Sequence, residues 1–453
     1  MMKRIFCLML AMTLFLSVLA LAEDASDPMD EVIGLLSAVD GAEELFGRMH
    51  PDLQAAMTVE AIQSVWPQLT ALGGAFTGLG EDAARTDVSG YTVYTQTLNF
   101  ERASLMCQLT LDGDGLICGL TFSPVQQEEQ PSDVPASMVA EDVTVGEEPW
   151  QLPGTLTLPA GSDGPVPAVV LVQGSGPSDR DETVGAVAPF RDLAEMLTKQ
   201  GIAVLSYDKR TYVYGQEIAS SADFAAFTVE EETIQDAIAA GRLLAEDPRI
   251  DTSRIFILGH SLGAMLAPRI VAESDGLFCG MILACGTNRS LLEIMLRQNE
   301  DAIAALPGDQ QAAYQPMLEE ARAQLDQLPD MDGETAKAMT ILGQPGYYFW
   351  DMAQKPTTAA YLAQLQLPAL VINGSRDFQI DEEEGRQTWE AVLPMDAPWL
   401  TTLWNDVNHM LMKPEVDASV AGTTMEYYVP CTVDAATAEA IADFILTTEE
   451  TNP

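Results

Sequence analysis

Histidine is nearly missing from this sequence: three of its 453 residues are His, at positions 50, 260 and 409. Any search for a general base of the usual kind is therefore short. Basic residues are scarce too. Twenty-two Lys and Arg stand against 68 Asp and Glu, a formal net charge of −46. A surface this acidic repels phosphate backbones and anionic headgroups, so nucleic acid and membrane surfaces are poor expected partners. Cysteine is sparse. Setting Cys7 aside in the N-terminal leader leaves Cys107, Cys118, Cys279, Cys285 and Cys431. An odd number argues against a full disulfide framework. No Cys and His spacing resembles a zinc site, so no metal or other cofactor is expected. After the leader no apolar run is long enough to span a bilayer, and there are no internal repeats.

The leader itself has a pattern. "MMKR" is a basic start, "IFCLMLAMTLFLSVL" an apolar stretch, and "ALA" before Glu23 offers small residues for cleavage. Residues 1–22 are expected to be a signal peptide cut near Ala22, leaving a soluble protein secreted to the periplasm or cell exterior, with no membrane insertion after cleavage. Losing Lys3 and Arg4 takes the mature chain to −48.

Residues 30–122 read as a small α+β domain. "DEVIGLLSAVDGAEELFGRM" and "TVEAIQSVWPQLTALG" carry helical apolar spacing, and "YTVYTQTLNF", "ASLMCQLTLD" and "GLICGLTFSP" read as strands. The last two form a hairpin with two possible registers. A two-residue turn at Asp112-Gly113 sets Cys107 opposite Cys118; a turn at Asp114-Gly115 or a longer loop does not. Residues 123–140 are polar and proline-bearing, a linker.

From 141 to 448 the pattern changes. "LPGTLTLPAG" reads as an antiparallel edge. Then "AVVLVQ", "GIAVLSYD", "RIFILGH", "GMILACG", "PALVING" and "WLTTLWND" recur as short apolar runs, of the kind buried on both faces of a parallel sheet. Amphipathic segments lie between most of them; Ile234, Ala237, Ile238, Leu244 and Ala245 share one helical face. The expectation is a doubly wound, mostly parallel α/β sheet. About 80 residues separate "GMILACG" from "PALVING", too many for a simple crossover. Residues 288–362 are therefore expected to be a helical cap insertion. Its aromatics Tyr347, Tyr348, Phe349 and Trp350 serve either a substrate pocket or the cap's own core.

One pentad raises the question of chemistry. In "RIFILGHSLGAMLAPRI", Gly-His-Ser-Leu-Gly falls between a strand-like run and a helix-like segment. That is the setting of a nucleophile elbow, with helix N–H groups aimed at the serine. Ser261 needs a base to take its proton. His50 lies in the other domain and His260 is the adjacent residue on a sharp turn, which leaves His409, in "WNDVNHMLM". An acid must hold the base. Asp377, after the strand and glycine turn of "PALVINGSRDFQI", is the candidate; Asp406, three residues before His409, is the alternative. Asp381 and Glu382–Glu384 read as the solvated start of a helix. Charge on a tetrahedral intermediate needs N–H donors. The backbones of Leu262 and Ser175 are suited, with Gly174 in "VLVQGSGPSDRDE" making room. That loop lacks the G-x-G-x-x-G spacing of a phosphate site, and Pro177 removes an N–H.

In order and spacing, "GSGPSDRDE", "SYDKR", "GHSLGAMLAPRI", "NGSRDFQI" and "NHMLM" resemble an exported esterase of the α/β-hydrolase family, near its dienelactone-hydrolase and prolyl-oligopeptidase-like branch. The resemblance implies nucleophile, acid and base at Ser261, Asp377 and His409, and a serine carboxylesterase acting on small-molecule esters. A peptidase, an acyltransferase or a retired, non-catalytic binding protein is the alternative. Two departures stand out. Gln173-Gly174 replaces the usual His-Gly, and Thr211 follows Arg210 where glycine is common. Asp208 and Arg210 read as structural. Residues 30–122 resemble, less specifically, a small cystatin-like or ketosteroid-isomerase-like domain found ahead of such hydrolases.

Overall fold

The computed structural model describes residues 27–125, 137–304, 306 and 308–448. The leader lies outside the described residues, as does most of the stretch read as linker. The described chain falls into two units, one ending at Val125 and the other lying beyond it.

The first unit opens with helices Asp27–Ser37, Gly41–Gly47, Pro51–Gln54 and Val59–Gly73. Thr58 caps the last, its hydroxyl accepting the Ala61 N–H at 3.2 Å. Five antiparallel strands follow: β1 (Phe76–Leu79), β2 (Ala84–Val88), β3 (Tyr91–Phe100), β4 (Ser104–Leu111) and β5 (Ile117–Pro124). β3 is central among β1, β2 and β4, and β5 pairs with β4. On β3 every second residue near the end, Gln96, Leu98 and Phe100, is buried, as the two-residue period of a half-covered sheet requires. The β4–β5 hairpin takes the longer loop. Asp112 folds it, its Oδ1 accepting the N–H groups of Asp114 and Leu116 at 3.0 and 2.8 Å. Cys107 therefore faces Phe122, and Cys107 and Cys118 are free thiols. Burial pushes the Cys107 thiol up to about 12.

The second unit is built on an eight-stranded sheet, with a two-stranded pair in its cap. Its strands are β6 (Met138–Val145), β7 (Leu152–Pro159), β8 (Val166–Val172), β9 (Ala203–Tyr207), β10 (Ile250–His260), β11 (Gly280–Ala284), the small pair β12 (Thr340–Ile341) and β13 (Gln344–Pro345), then β14 (Ala369–Gly374) and β15 (Leu400–Asn405). The order across the large sheet is β15-β14-β11-β10-β8-β9-β7-β6. Strands β8 to β11, β14 and β15 run parallel, and β7 and β6 close the far side antiparallel. The edge on that side is β6, which starts at Met138 inside the stretch read as linker; four of the eight residues of its "MVAEDVTV" are exposed.

The apolar runs explain the layering. On β8, Ala168, Val170 and Val172 enter one buried cluster, and Val169 and Leu171 enter the other. Ile255 and Ile257 of β10 divide from Phe256 and Leu258 in the same way. Each strand is thus apolar on both faces, and each buried Val, Leu, Ile or Phe contributes about 1.5–3 kcal/mol. Helices Gln235–Glu246 and Leu262–Glu273 cover one face; Pro189–Lys199 and Ala435–Thr447 cover the other. The insertion holds helices Leu291–Ala304, Gly308–Gln327, Gly333–Lys337, Gly346–Ala353 and Thr358–Leu365. Leu296, Ile303, Leu318 and Ala321 form its own small core. Tyr348 and Phe349 instead join the large cluster against the sheet. Trp350 stacks on Tyr347 and donates to the Met331 carbonyl at 2.7 Å, so the aromatic run is packing for the insertion.

From β8 the chain moves one way to β9 and then back past β8 to β10. The connections leaving β8 and β10 therefore part at the C-terminal ends of two adjacent strands. That is the crevice where open α/β sheets hold ligands.

Candidate active site

Ser261 stands at this crevice, directly after β10, with φ 53° and ψ −114°. A left-handed φ on a non-glycine residue costs about 1–3 kcal/mol and persists only where neighbours enforce it. The enforcement is close packing. A β-carbon at Gly259 would sit 2.1 Å from the Gly263 carbonyl, and one at Gly263 would sit 2.2 Å from the Val172 carbonyl. The two glycines of the pentad supply space for the helix to press on β8 and β10; the positive φ falls on the serine between them. The Ser261 N–H is anchored to the Ala284 carbonyl at 2.9 Å.

His409 follows β15, at the edge of the sheet, and Asp377 follows its neighbour β14. His409 Nδ1 meets Asp377 Oδ2 at 2.8 Å, and both side chains are buried. Asp377 Oδ1 accepts the N–H groups of Gln379 and Ile380, at 2.9 and 2.8 Å. The carboxylate is thereby fixed from three sides. Asn408 shapes the turn that carries His409: its Oδ1 accepts from the backbones of Met410 and Met412, both at 3.0 Å, and its Nδ2 donates to buried Glu426 at 2.8 Å. Asp406 is exposed and bonds the Ser375 hydroxyl at 3.3 Å, without reaching His409. Asp381 caps the following turn, but Glu384, read as solvated, is buried and pairs with Arg297 at 2.7 Å.

Gly174 follows β8. A β-carbon there would lie 3.2 Å from Ser261 Cβ and 3.6 Å from Oγ, so the glycine gives the loop its approach to the serine. Among the described residues, neither the Ser175 nor the Leu262 backbone N–H donates a hydrogen bond within the protein. Gln173, where His-Gly was the usual pattern, turns away and bonds the Tyr207 carbonyl.

Sequence reasoning missed several groups here. Buried Glu182 accepts the Gly174 N–H at 2.7 Å and meets His260 Nδ1 at 2.9 Å with the same oxygen. His260 Nε2 donates to the His409 carbonyl at 2.8 Å. Burial lowers the His260 pKa, but the Glu182 charge and hydrogen bond, the His409 carbonyl and the Asp377 charge outweigh it, and the net shift is upward. One buried pair thus ties together the loop after β8, the elbow and the His409 turn. Lys209 is buried as well and donates to the Gly174 carbonyl. Arg210 pairs with buried Asp236, and Asp208 with Arg180.

His260, Cys285 and His409 bring ligand-capable atoms within 4.8 Å of one another. Both nitrogens of His260 and Nδ1 of His409 are engaged in the bonds above, and burial holds the Cys285 thiol well above its usual range. The arrangement suits proton transfer. It sets a serine on a strained turn at the end of β10, a histidine held by a carboxylate on the loops after β15 and β14, and unengaged backbone donors.

Comparison with known proteins bears on the same elements. Residues 169–421 match the model of the alpha/beta hydrolase family, and residues 30–120 match a protein family of unknown function designated DUF3887. Esterase EstD of Thermotoga maritima is 34% identical over 397 residues, covering 87% of this chain and 89% of that protein. Among solved structures, the Pyrococcus furiosus esterase Pf2001 has a TM-score of 0.41 at 17% identity, covering 70% of this chain and 92% of that one. An acylaminoacyl peptidase of Pyrococcus horikoshii has a TM-score of 0.46 at 12% identity, covering 82% and 57%.

Proposed function

From a chain that belongs to the α/β-hydrolase family, we propose a secreted serine carboxylesterase that works through an acyl-enzyme. Ser261 Oγ attacks the ester carbonyl while His409 Nε2 takes its proton. The carbonyl electron pair moves onto oxygen, where the Ser175 and Leu262 N–H groups receive it. The tetrahedral intermediate collapses, the C–O bond to the alcohol breaks, and His409 returns the proton to the leaving oxygen. Water, activated by the same histidine, then cleaves the acyl-enzyme. Asp377 holds His409 in the tautomer whose Nε2 is free to accept. Secretion rests on the basic and apolar leader with its "ALA" cleavage signal.

The observation that carries this reading is the buried Asp377–His409 pair at 2.8 Å, on the loops after β14 and β15, which leave the same C-terminal edge of the sheet as the elbow serine after β10. The likeness to a curated esterase over most of both chains supports the choice of ester. Hydrolysis of p-nitrophenyl esters from acetate to decanoate by the mature protein tests it, with Ser261→Ala alongside. Turnover is expected, and the variant should lose on the order of 10⁴ to 10⁶ of it. An active Ser261→Ala would refute the nucleophile, and an inactive parent would refute the ester.

A further inference from the structure

The loop that receives the oxyanion is held by charge on both sides of Gly174. Its N–H points at the Glu182 carboxylate, 2.7 Å away, and its carbonyl takes a bond from the Lys209 ammonium at 2.6 Å. Each charge has the sign that suits the peptide group it touches. Lys209 is 1% exposed and has a second partner, Glu232, at 2.6 Å. Glu232 sits in a widened, π-helical turn, Glu230–Ile234, and its other oxygen accepts the Tyr348 hydroxyl at 2.5 Å. Tyr348 belongs to helix Gly346–Ala353 of the insertion. A buried chain therefore runs from the insertion through Tyr348, Glu232 and Lys209 to the carbonyl of Gly174.

That carbonyl shares a peptide group with the Ser175 N–H. The group is planar and trans, so fixing the oxygen fixes the direction of the N–H. A cation on the oxygen also draws electron density from the peptide, and hydrogen bonds strengthen one another in this way in low-dielectric surroundings. The Ser175 N–H makes no bond of its own among the described residues, so the effect is kept for a ligand. Packing alone does not call for this arrangement. Burying a lysine and a glutamate costs several kcal/mol per ion before their attraction is counted, and apolar residues would fill the space at lower cost.

We infer that Lys209 is a positioning residue for the oxyanion, orienting and polarising the Ser175 N–H through the Gly174–Ser175 peptide, and that Tyr348 couples the insertion to it. The inference rests on the proposed role of Ser175 in the ester reaction. The test is the double variant Lys209→Met/Glu232→Gln, which removes both buried charges and keeps an acceptor for Tyr348. Two quantities are read: kcat and KM on a p-nitrophenyl ester, and the affinity of an alkyl trifluoromethyl ketone. This ketone adds to a serine hydroxyl; the O–C bond forms, the proton passes to the base, and the carbonyl oxygen becomes the anion. The double variant should lose about 10–100-fold in kcat, less than the ~10²–10³ of deleting a donor outright. It should lose ketone affinity by the same factor, with KM nearly unchanged. Unchanged kcat and ketone affinity in a folded but less stable variant overturn the inference. If the double variant does not fold, Tyr348→Phe decides. A smaller, parallel loss in kcat and ketone affinity supports the coupling, and wild-type values for both overturn it. Failure of the underlying reading looks different: Ser261→Ala would stay active, or the parent would not bind the ketone.

Discussion

Replacing Asp377 by Asn exchanges one oxygen for an NH₂ and changes almost no volume. The outcome follows from the three bonds the carboxylate makes. Oδ1 accepts two backbone N–H groups, from Gln379 and Ile380, and an amide NH₂ placed there would face two donors. The asparagine must therefore keep its oxygen on that side and turn its NH₂ toward His409 Nδ1. An N–H aimed at Nδ1 requires that nitrogen to be unprotonated. The imidazole proton moves to Nε2, which then cannot take the proton of Ser261. A wrong tautomer of this kind costs about 10⁴ in turnover, equivalent to roughly 5.5 kcal/mol in the barrier. The fold loses one charge-assisted bond, worth about 1.5–3 kcal/mol. Steady-state kcat on a p-nitrophenyl ester gives the first number, and denaturant unfolding gives the second. Asp406→Asn is the control, since Asp406 is exposed and reaches only Ser375, and it should stay within about twofold of wild type. A kcat for Asp377→Asn within about tenfold of wild type, or a damaging Asp406→Asn, would rule out Asp377 as the group that orients His409.

Three other outcomes are expected. Gly174→Ala sets a methyl 3.2 Å from Ser261 Cβ and 3.6 Å from its hydroxyl; kcat should fall about 10–100-fold with melting little changed. Arg210→Met leaves Asp236 buried without its partner and should cost about 3–5 kcal/mol in denaturant unfolding, and Arg210→Met/Asp236→Leu should recover most of it. The pKa of His260 is raised in the folded chain above its ordinary value near 6.5, so the folded state binds that proton more tightly. Its stabilising contribution is complete below about pH 6.5 and is lost as the pH rises through the raised value. Melting followed upward from pH 6 should show this loss in the wild type and a smaller one in Glu182→Gln.

The large sheet was readable because its central strands are apolar on both faces, a pattern that survives without knowing the neighbours. Ser261, Asp377 and His409 each stand just past such a run, so their positions followed once the runs were read as parallel strands. The scarcity of histidine did much of the rest. What escaped the sequence is polar and long-range. Glu182 lies in "SDRDE", a stretch that looks solvated, yet it is buried against His260, 78 residues away. Lys209 and Glu232 are buried charged residues whose partners include Gly174 and Tyr348, the latter 116 residues beyond Glu232. No local periodicity marks such partners. Glu384 was misread for the same reason, since Arg297 reaches it from the insertion. The β4–β5 register turned on one side chain, Asp112, which closes a longer loop and separates Cys107 from Cys118.

In the proposed reaction Ser261 carries the acyl group. A fluorophosphonate reacts with an activated serine by forming a P–O bond and expelling fluoride, which leaves a stable mass on the nucleophile. Intact-mass analysis of the treated protein, followed by peptide mapping, reads the site directly. One adduct per chain, on the peptide that contains Ser261 and absent from Ser261→Ala, is the predicted result. An unlabelled protein with measurable esterase turnover, or a label that persists in Ser261→Ala, would exclude Ser261 as the nucleophile.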